Sequence, residues 1–546
     1  MTSQSNLNPL PDTNFLAFVA HALDVANNTE KRQRPERDCA QKRAQADILD
    51  SLAYIAVCEE KHHVVATAAL LPGGSSTNRA GLEILVSENG TASQTVIDHL
   101  QSVLDRLILI RKQAEPLFPK SRLSPRFPEW IDGDAPNLNA FERSLVDLEV
   151  SILRHSWKKL RRRATKDSQH VFATDTANDV CDPNAMDRVA PDQRPPLAKL
   201  QASTDEEREL ISEVVPALSV LARIIQTQAP TDNDVRSVRG MVLCLEIFRQ
   251  KFEGNTKFMK NWNRYTRLRL ESQQANIKKP PDFLRWLTKL TAIHRHYIRI
   301  ANVAASNTLL GTLLVDRPVV KAVENTIPCL KLVVDHQRVE DVLRCTKCKI
   351  EASGQRTVGG LVKMLADTLN LEYKDETLVV EKPAPVHGAC KLLAATHGRA
   401  AIAYIGVSKQ APCAFCDIYF EAYRKATKTQ IITGSADSDP HAGSRNQTPS
   451  AAPWAFPHLR VPELDTEIEN HIRPHLLRKI NEGWAQFGRP SRSSQSADVY
   501  DSDDDTRPIF GMCDEKAFRK KAMAEQRRQH EKRCAEYNSA LGAKGG

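Results

Sequence analysis

Two short runs near residue 400 carry the residue types that ligate metals. The first is Pro385-Val386-His387-Gly388-Ala389-Cys390; 26 residues after its histidine, Pro412-Cys413-Ala414-Phe415-Cys416 begins its cysteine pair. Imidazole nitrogen and thiolate sulfur are both zinc donors. Cys413 and Cys416 stand three apart, so on a helix they share one face. A helix opening at Pro412 puts Cys413 in its first turn, where free N–H groups and the helix dipole favour the thiolate that a metal needs.

The flanking sequence predicts the elements that hold these residues. Thr377 to Val380 reads as a strand, ended by Pro383 and Pro385, which restrict the chain that follows. A helix begins directly after, with His387 in its first turn and good helix formers from Lys391 to Ala395. Ala400 to Val407 is a second strand. Val319 to Val323 and Leu330 to Val334 read as further strands, with a helix at Leu361 to Leu369.

The order strand, His-helix, strand, Cys-helix resembles the cytidine-deaminase-like superfamily of nucleic acid and nucleotide deaminases, whose signature is H-x-E…P-C-x-x-C. The strand Tyr404-Ile405-Gly406-Val407-Ser408-Lys409 leading to the Cys-x-x-Cys, behind a long helical region, is similar to the large branch found in fungi. The resemblance spans about 35 residues in motif and about 120, residues 306 to 427, in strand order. It implies that His387, Cys413 and Cys416 hold zinc with water as the fourth ligand. In the family, the glutamate two residues after the histidine moves protons from that water to the ring nitrogen and the departing amine. Here that position is Ala389, which has no titratable group, so the resemblance implies a metal cage without its proton shuttle. Losing a general acid–base costs about 10²–10⁴-fold in rate. Glu376, Glu381 and Glu421 are the carboxylates that could substitute, and none occupies a motif position.

Three further features have a functional and a structural reading each. Cys345-Thr346-Lys347-Cys348 is half of a zinc site, with Cys329, His336 or Cys390 as loose completing ligands, or a chance surface pair. From Lys251 to Arg299, twelve Lys/Arg face three acidic residues, a local excess of nine that equals the net charge of the whole chain, +9. Lys257, Lys260, Trp262, Arg264, Arg267 and Arg269 together suit single-stranded nucleic acid, through stacking and phosphate contact. Yet Phe258, Trp262 and Tyr265 recur at helical spacing, which predicts aromatics turned inward and basic residues solvated. Lys158 to Arg163 is similar to a nuclear localisation cluster or is a solvated helix end, and Ser502 before three aspartates suits an acidic-directed kinase or an inert linker.

Length and composition frame these sites. A chain of 546 residues with 41% hydrophobic and 26% charged content is in the globular range, with room for several cores. No apolar run is long enough to span a membrane. The polar N-terminus lacks signal-peptide features, and the scattered cysteines suit a cytoplasmic or nuclear, non-secreted protein. The predicted fold class is α+β and multidomain: a largely helical N-terminal region, then a deaminase-like α/β/α three-layer domain. The expected divisions are 1–135 and 136–305, both helical, the second with the basic segment 251–299. A zinc domain follows at 306–428, then a disordered linker 429–460 and a short helix within 461–488. The last, 489–546, combines an acidic spacer with a charged helix. Glu115 to Pro136 and Thr165 to Ser203 read as loops. A helix is expected from a Ser203/Glu206 capping box, kinked or divided at Pro216. Val64 to Leu71 and Ile84 to Val86 are apolar runs that fit strand or buried helix alike. The expected partners are nucleic acid or nucleotide and a protein bound through the helical region.

Overall fold

The structure, a computed structural model, describes residues 12–27, 40–59, 64–72, 81–88, 92–116, 138–166, 169–272, 282–305, 318–323, 329–346, 357–369, 373–374, 377–383, 386–408, 414–433 and 455–487. The protein is α+β and mostly helical, and it divides into two units. Among the described residues no helix is long and apolar enough to cross a membrane.

The first unit joins Met1–Ala53, Val64–Ile97 and Val319–Asp503. Its strands are β1 (Val65–Leu70), β2 (Glu83–Glu88), β3 (Val319–Ala322), β4 (Cys329–Asp335), β5 (Tyr373–Lys374), β6 (Thr377–Pro383), β7 (Ala401–Val407) and β8 (Ile432–Thr433). The two ambiguous apolar runs are therefore strands, and they form the antiparallel hairpin β1–β2. The larger sheet has the order β3-β2-β1-β7-β8, in which β7 lies antiparallel to β1 and parallel to β8. This corrects the expected boundary at residue 306, because the sheet around β7 takes its central hairpin from residues 65–88. It also corrects the start of the expected linker at 429, since β8 pairs with β7; residues 434–454 lie outside the described residues.

Side-chain alternation along β1 and β7 sorts the layers. Thr67 and Tyr404 face the helix Ala40–Ile55: Thr67 Oγ1 donates to the Leu49 carbonyl at 2.8 Å, and the Tyr404 hydroxyl to Asp50 Oδ2 at 2.7 Å. Ala66, Ala68, Ile405 and Val407 face the other way, into a core shared with the helices Gly388–Thr396 and Ala414–Thr427. One helix thus covers one face of the sheet and the two motif-bearing helices cover the other. The second sheet, β4-β6-β5, buries Leu332, Val334 and Leu378 in the same core.

Thr13–Asn27, His336–Cys345, Val358–Leu369 and Pro462–Gln486 complete the unit's described helices. Ile468, Ile472, Leu476, Ile480 and Trp484 recur every fourth residue along Pro462–Gln486, which packs on Thr13–Asn27 and on Ala414–Thr427. The helix expected within 461–488 therefore runs from Pro462 to Gln486, 25 residues, and is not short. Pro474 does not stop it, because the carbonyl it strands belongs to the exposed Asn470.

The second unit, Tyr54–His63, Asp98–Pro318 and Asp504–Gly546, has helices and no strand among its described residues. Thr165 to Ser203, expected as loop, folds into Gln169–Cys181, Ala185–Arg188 and Arg194–Gln201. Its prolines fall between these helices or in the first turn of the last, where no N–H partner is lost. The cap expected at Ser203 lies one residue on, at Thr204 with Glu207. Pro216 does not divide Asp205–Ile224; the carbonyl it frees belongs to exposed Ser212.

Fully buried charge ties this unit together. Glu246 accepts from Arg249 at 2.7 and 2.8 Å, from Arg295 at 3.2 Å and from Thr291 at 2.5 Å. Burial raises the Glu246 carboxyl, but the Arg295 and Arg249 guanidiniums outweigh it and bring it down to about 2. Glu149 is bound likewise by Arg239 at 2.5 Å and His294 at 2.6 Å.

Candidate metal centre

His387 is the N-cap of Gly388–Thr396, in extended conformation, and its carbonyl accepts the first helical bond from Lys391 N at 3.0 Å. It stands one position before the first turn in which sequence spacing predicts it. Cys416 is the third residue of Ala414–Thr427 and is 2% exposed. The two helices lie side by side on the same face of the sheet, and their N-terminal ends bring His387 Nδ1 to 3.2 Å from Cys416 Sγ.

That separation tests whether the residues fit a metal. Tetrahedral zinc, at 2.0–2.1 Å from nitrogen and 2.3 Å from sulfur, requires the two donors to stand about 3.6 Å apart. His387 and Cys416 are within a few tenths of an ångström of this. Both lie at helix N-termini, where the dipole stabilises thiolate. Pro412 and Cys413, the remaining part of the motif, lie outside the described residues. Among the described residues no group of three His, Cys, Asp or Glu is placed to hold a metal, so Cys390 does not complete a set with His387 and Cys416. Cys390 is instead 2% exposed in the apolar core beside Tyr419.

Ala389 is also buried in this core, at 5% exposed, and carries no group that exchanges a proton. Of the carboxylates named as substitutes, Glu421 is engaged elsewhere: Lys425 approaches it at 2.8 Å and His475 at 3.6 Å. The Lys425 bond holds its carboxyl below the usual range against partial burial. Glu376 and the Glu381 side chain lie outside the described residues. Around the second cysteine pair, Cys345 ends the helix His336–Cys345 and is exposed, His336 lies 4.0 Å from Glu340, and Cys348 and the Cys329 side chain lie outside the described residues.

The hairpin that receives the His-bearing helix is the part sequence reading missed. Gly388 abuts the end of β2, where a Cβ would meet the Ser87 carbonyl oxygen at 3.1 Å and the Glu88 carbonyl carbon at 3.4 Å. Lys391, one turn on, is buried and donates from Nζ to the Glu88 carbonyl at 3.0 Å; burial brings its ammonium down to about 8, against the opposing pull of the Glu88 charge. One signal was present in the sequence, the glycine inside the strand Tyr-Ile-Gly-Val. A strand glycine marks close backbone approach, and Gly406 does meet the backbone of Leu49 and Asp50.

The basic segment divides cleanly. Trp262 is 1% exposed and stacks on Phe283 with ring centres 4.8 Å apart, and Phe258 and Tyr265 are buried with it. Arg269 pairs with Asp179 and lies 3.7 Å from Asp175. Trp262 is therefore a core residue, which corrects its candidacy as a stacking contact, while Arg269 is held by its acidic partners. Lys257, Lys260, Arg264 and Arg267 remain exposed on one face of Thr256–Ser272, with Arg267 3.3 Å from Glu271. In the Lys158 to Arg163 cluster, Lys159 is buried with Nζ 3.6 Å above the Tyr54 ring, and Lys158 pairs with Glu59 at 3.1 Å.

No family model matches this chain, and no curated protein and no solved structure matches it either.

Proposed function

We propose that this chain is a zinc-binding protein of deaminase-like architecture whose site lacks the proton shuttle of that chemistry. The observation that carries this is the 3.2 Å approach of His387 Nδ1 to Cys416 Sγ at the N-terminal ends of two neighbouring helices. The layering supports it: the two motif-bearing helices lie together on one face of a sheet with β7 between β1 and β8, and Ala40–Ile55 covers the other face. His387, Cys413 and Cys416 would be the protein ligands. A zinc ion so held supplies Lewis acidity at an open fourth position.

The surrounding residues set what such a site does. Deamination needs a group that takes a proton from the attacking water and passes it to the ring and to the leaving amine. Ala389 cannot, the metal ligands are committed, and Glu421 is bound by Lys425 and His475. The site therefore binds rather than turns over, with a nucleotide, a nucleic acid or a protein as its partner. Thiolate ligation suits a reducing compartment, cytoplasm or nucleus.

Metal analysis of the purified chain beside Cys413→Ser tests the reading. One equivalent of zinc in the native chain, lost in the variant, supports it. A native chain that takes up no zinc supports instead a structural protein with a collapsed site. Zinc-dependent deamination by the native chain supports an enzyme with a displaced carboxylate.

A further inference from the structure

His387 belongs to a helix whose neighbour in space is the end of β2, yet 303 residues of chain separate Glu88 from Lys391. No short covalent turn sets the register between strand and helix. That register must come from contacts at the junction, and two are available. Gly388 lets the first helical turn approach the Ser87 and Glu88 backbone, since any Cβ there would sit at 3.1–3.4 Å from it. Lys391 lies one turn beyond His387, and its side chain runs back to donate to the Glu88 carbonyl at 3.0 Å. Side chains on a helix lean toward its N-terminus, so an amine at this position reaches the end of the helix that carries His387.

We propose that Lys391 is a positioning residue for the metal centre: its bond to the Glu88 carbonyl fastens the first turn of the His-bearing helix to the end of β2 and so aims His387 at Cys416. The inference rests on the zinc reading above. It accounts for a buried lysine in an otherwise apolar run of helix, between Cys390 and Leu392. Arginine keeps a charged N–H donor, with Nε at the distance of lysine's Cε and its terminal nitrogens one atom beyond Nζ, whereas methionine keeps the apolar stem and removes the donor.

The test compares the full native chain with Lys391→Met and Lys391→Arg by three measurements. These are zinc affinity against a competing chelator, the cobalt(II) absorption spectrum, and amide hydrogen exchange across residues 386–392 without metal. Lys391→Met should weaken zinc binding at least about tenfold, as loss of a ligand-orienting partner does, and should distort the cobalt bands. It should also speed exchange in the first turn, while the urea midpoint stays near native. Lys391→Arg should restore all three. Should Lys391→Met fail to fold, Gly388→Ala takes its place, because it pushes the same junction apart by tenths of an ångström. Native exchange rates and zinc affinity in the variant that folds would overturn the inference. A native chain that binds no zinc sinks the metal reading, and exchange in the metal-free chain still decides whether Lys391 fastens the helix.

Discussion

A Cβ on Gly406 would lie 2.2 Å from the carbonyl carbon of Leu49. Strand β7 and the helix Ala40–Ile55 therefore touch backbone to backbone. Bonds flank the contact on both sides: Asp50 Oδ1 accepts from Val407 N at 3.0 Å, and its Oδ2 from Tyr404 at 2.7 Å. Neither backbone can yield as a flexible side chain would. Gly406→Ala is expected to cost about 3 kcal/mol or more, at the upper end for overpacking, read as a lowered urea midpoint. A midpoint equal to native would mean that helix and strand are not in contact.

The buried carboxylate Glu246 gives the helical unit a defined response to acid. Its pKa is lowered to about 2 in the folded protein, where an unfolded chain has the ordinary glutamate value. Its contribution to stability is thus complete above about pH 4.3 and is lost as pH falls toward 2. Glu246→Gln takes the buried counter-charge from Arg295 and leaves Arg249 with Glu253 at 3.0 Å, and should cost about 3–5 kcal/mol at neutral pH. The variant should also lose this group's share of the pH dependence below pH 4.3. An acid unfolding curve parallel to native would contradict the assignment.

How much of this was legible in the sequence follows from where the signals are local. The His-bearing helix, β7 and the Cys-bearing helix each carry their own periodicity and punctuation: β7 lies where it is predicted, the first helix starts one residue after His387, and the second is described from Ala414 on. The hairpin β1–β2 was ambiguous because short apolar runs fit strand and buried helix alike, and its pairing with β7 spans more than 300 residues. The helices between Thr165 and Ser203 escaped because their prolines sit between helices or in the first turn of Arg194–Gln201, where composition reads as loop but geometry permits helix. The aromatic spacing at Phe258, Trp262 and Tyr265 was sound evidence of an inward face, and it outweighed the basic residues interleaved with it.

That inward face leads to a prediction about charge. Lys257, Lys260, Arg264 and Arg267 form an exposed ridge about 15 Å long, with no exposed aromatic from the Trp262 face beside them. Any binding to nucleic acid should be weak and should fall steeply with salt. Reversing charge at Arg264 and Arg267 should reduce it while leaving stability unchanged. Trp262→Ala should instead cost about 3–5 kcal/mol of stability. Tight, salt-resistant binding abolished by Trp262→Ala in a folded variant would contradict the core position of this residue.

With Ala389 at the shuttle position, the native chain is expected to deaminate neither cytidine, deoxycytidine and adenosine nor single-stranded nucleic acid above background. Ala389→Glu returns a carboxylate two residues after His387 and is expected to give turnover only with zinc bound. Ammonia release by the native chain, abolished by Cys413→Ser, would show that another carboxylate serves.

The most direct measurement is zinc stoichiometry in the native chain, in His387→Ala and in Cys413→Ser, purified alike under reducing conditions. The account predicts one zinc per native chain and a loss of affinity in both variants, with the fold retained by circular dichroism. A native chain without zinc, or variants that hold it as tightly, would contradict a metal centre at His387 and Cys416.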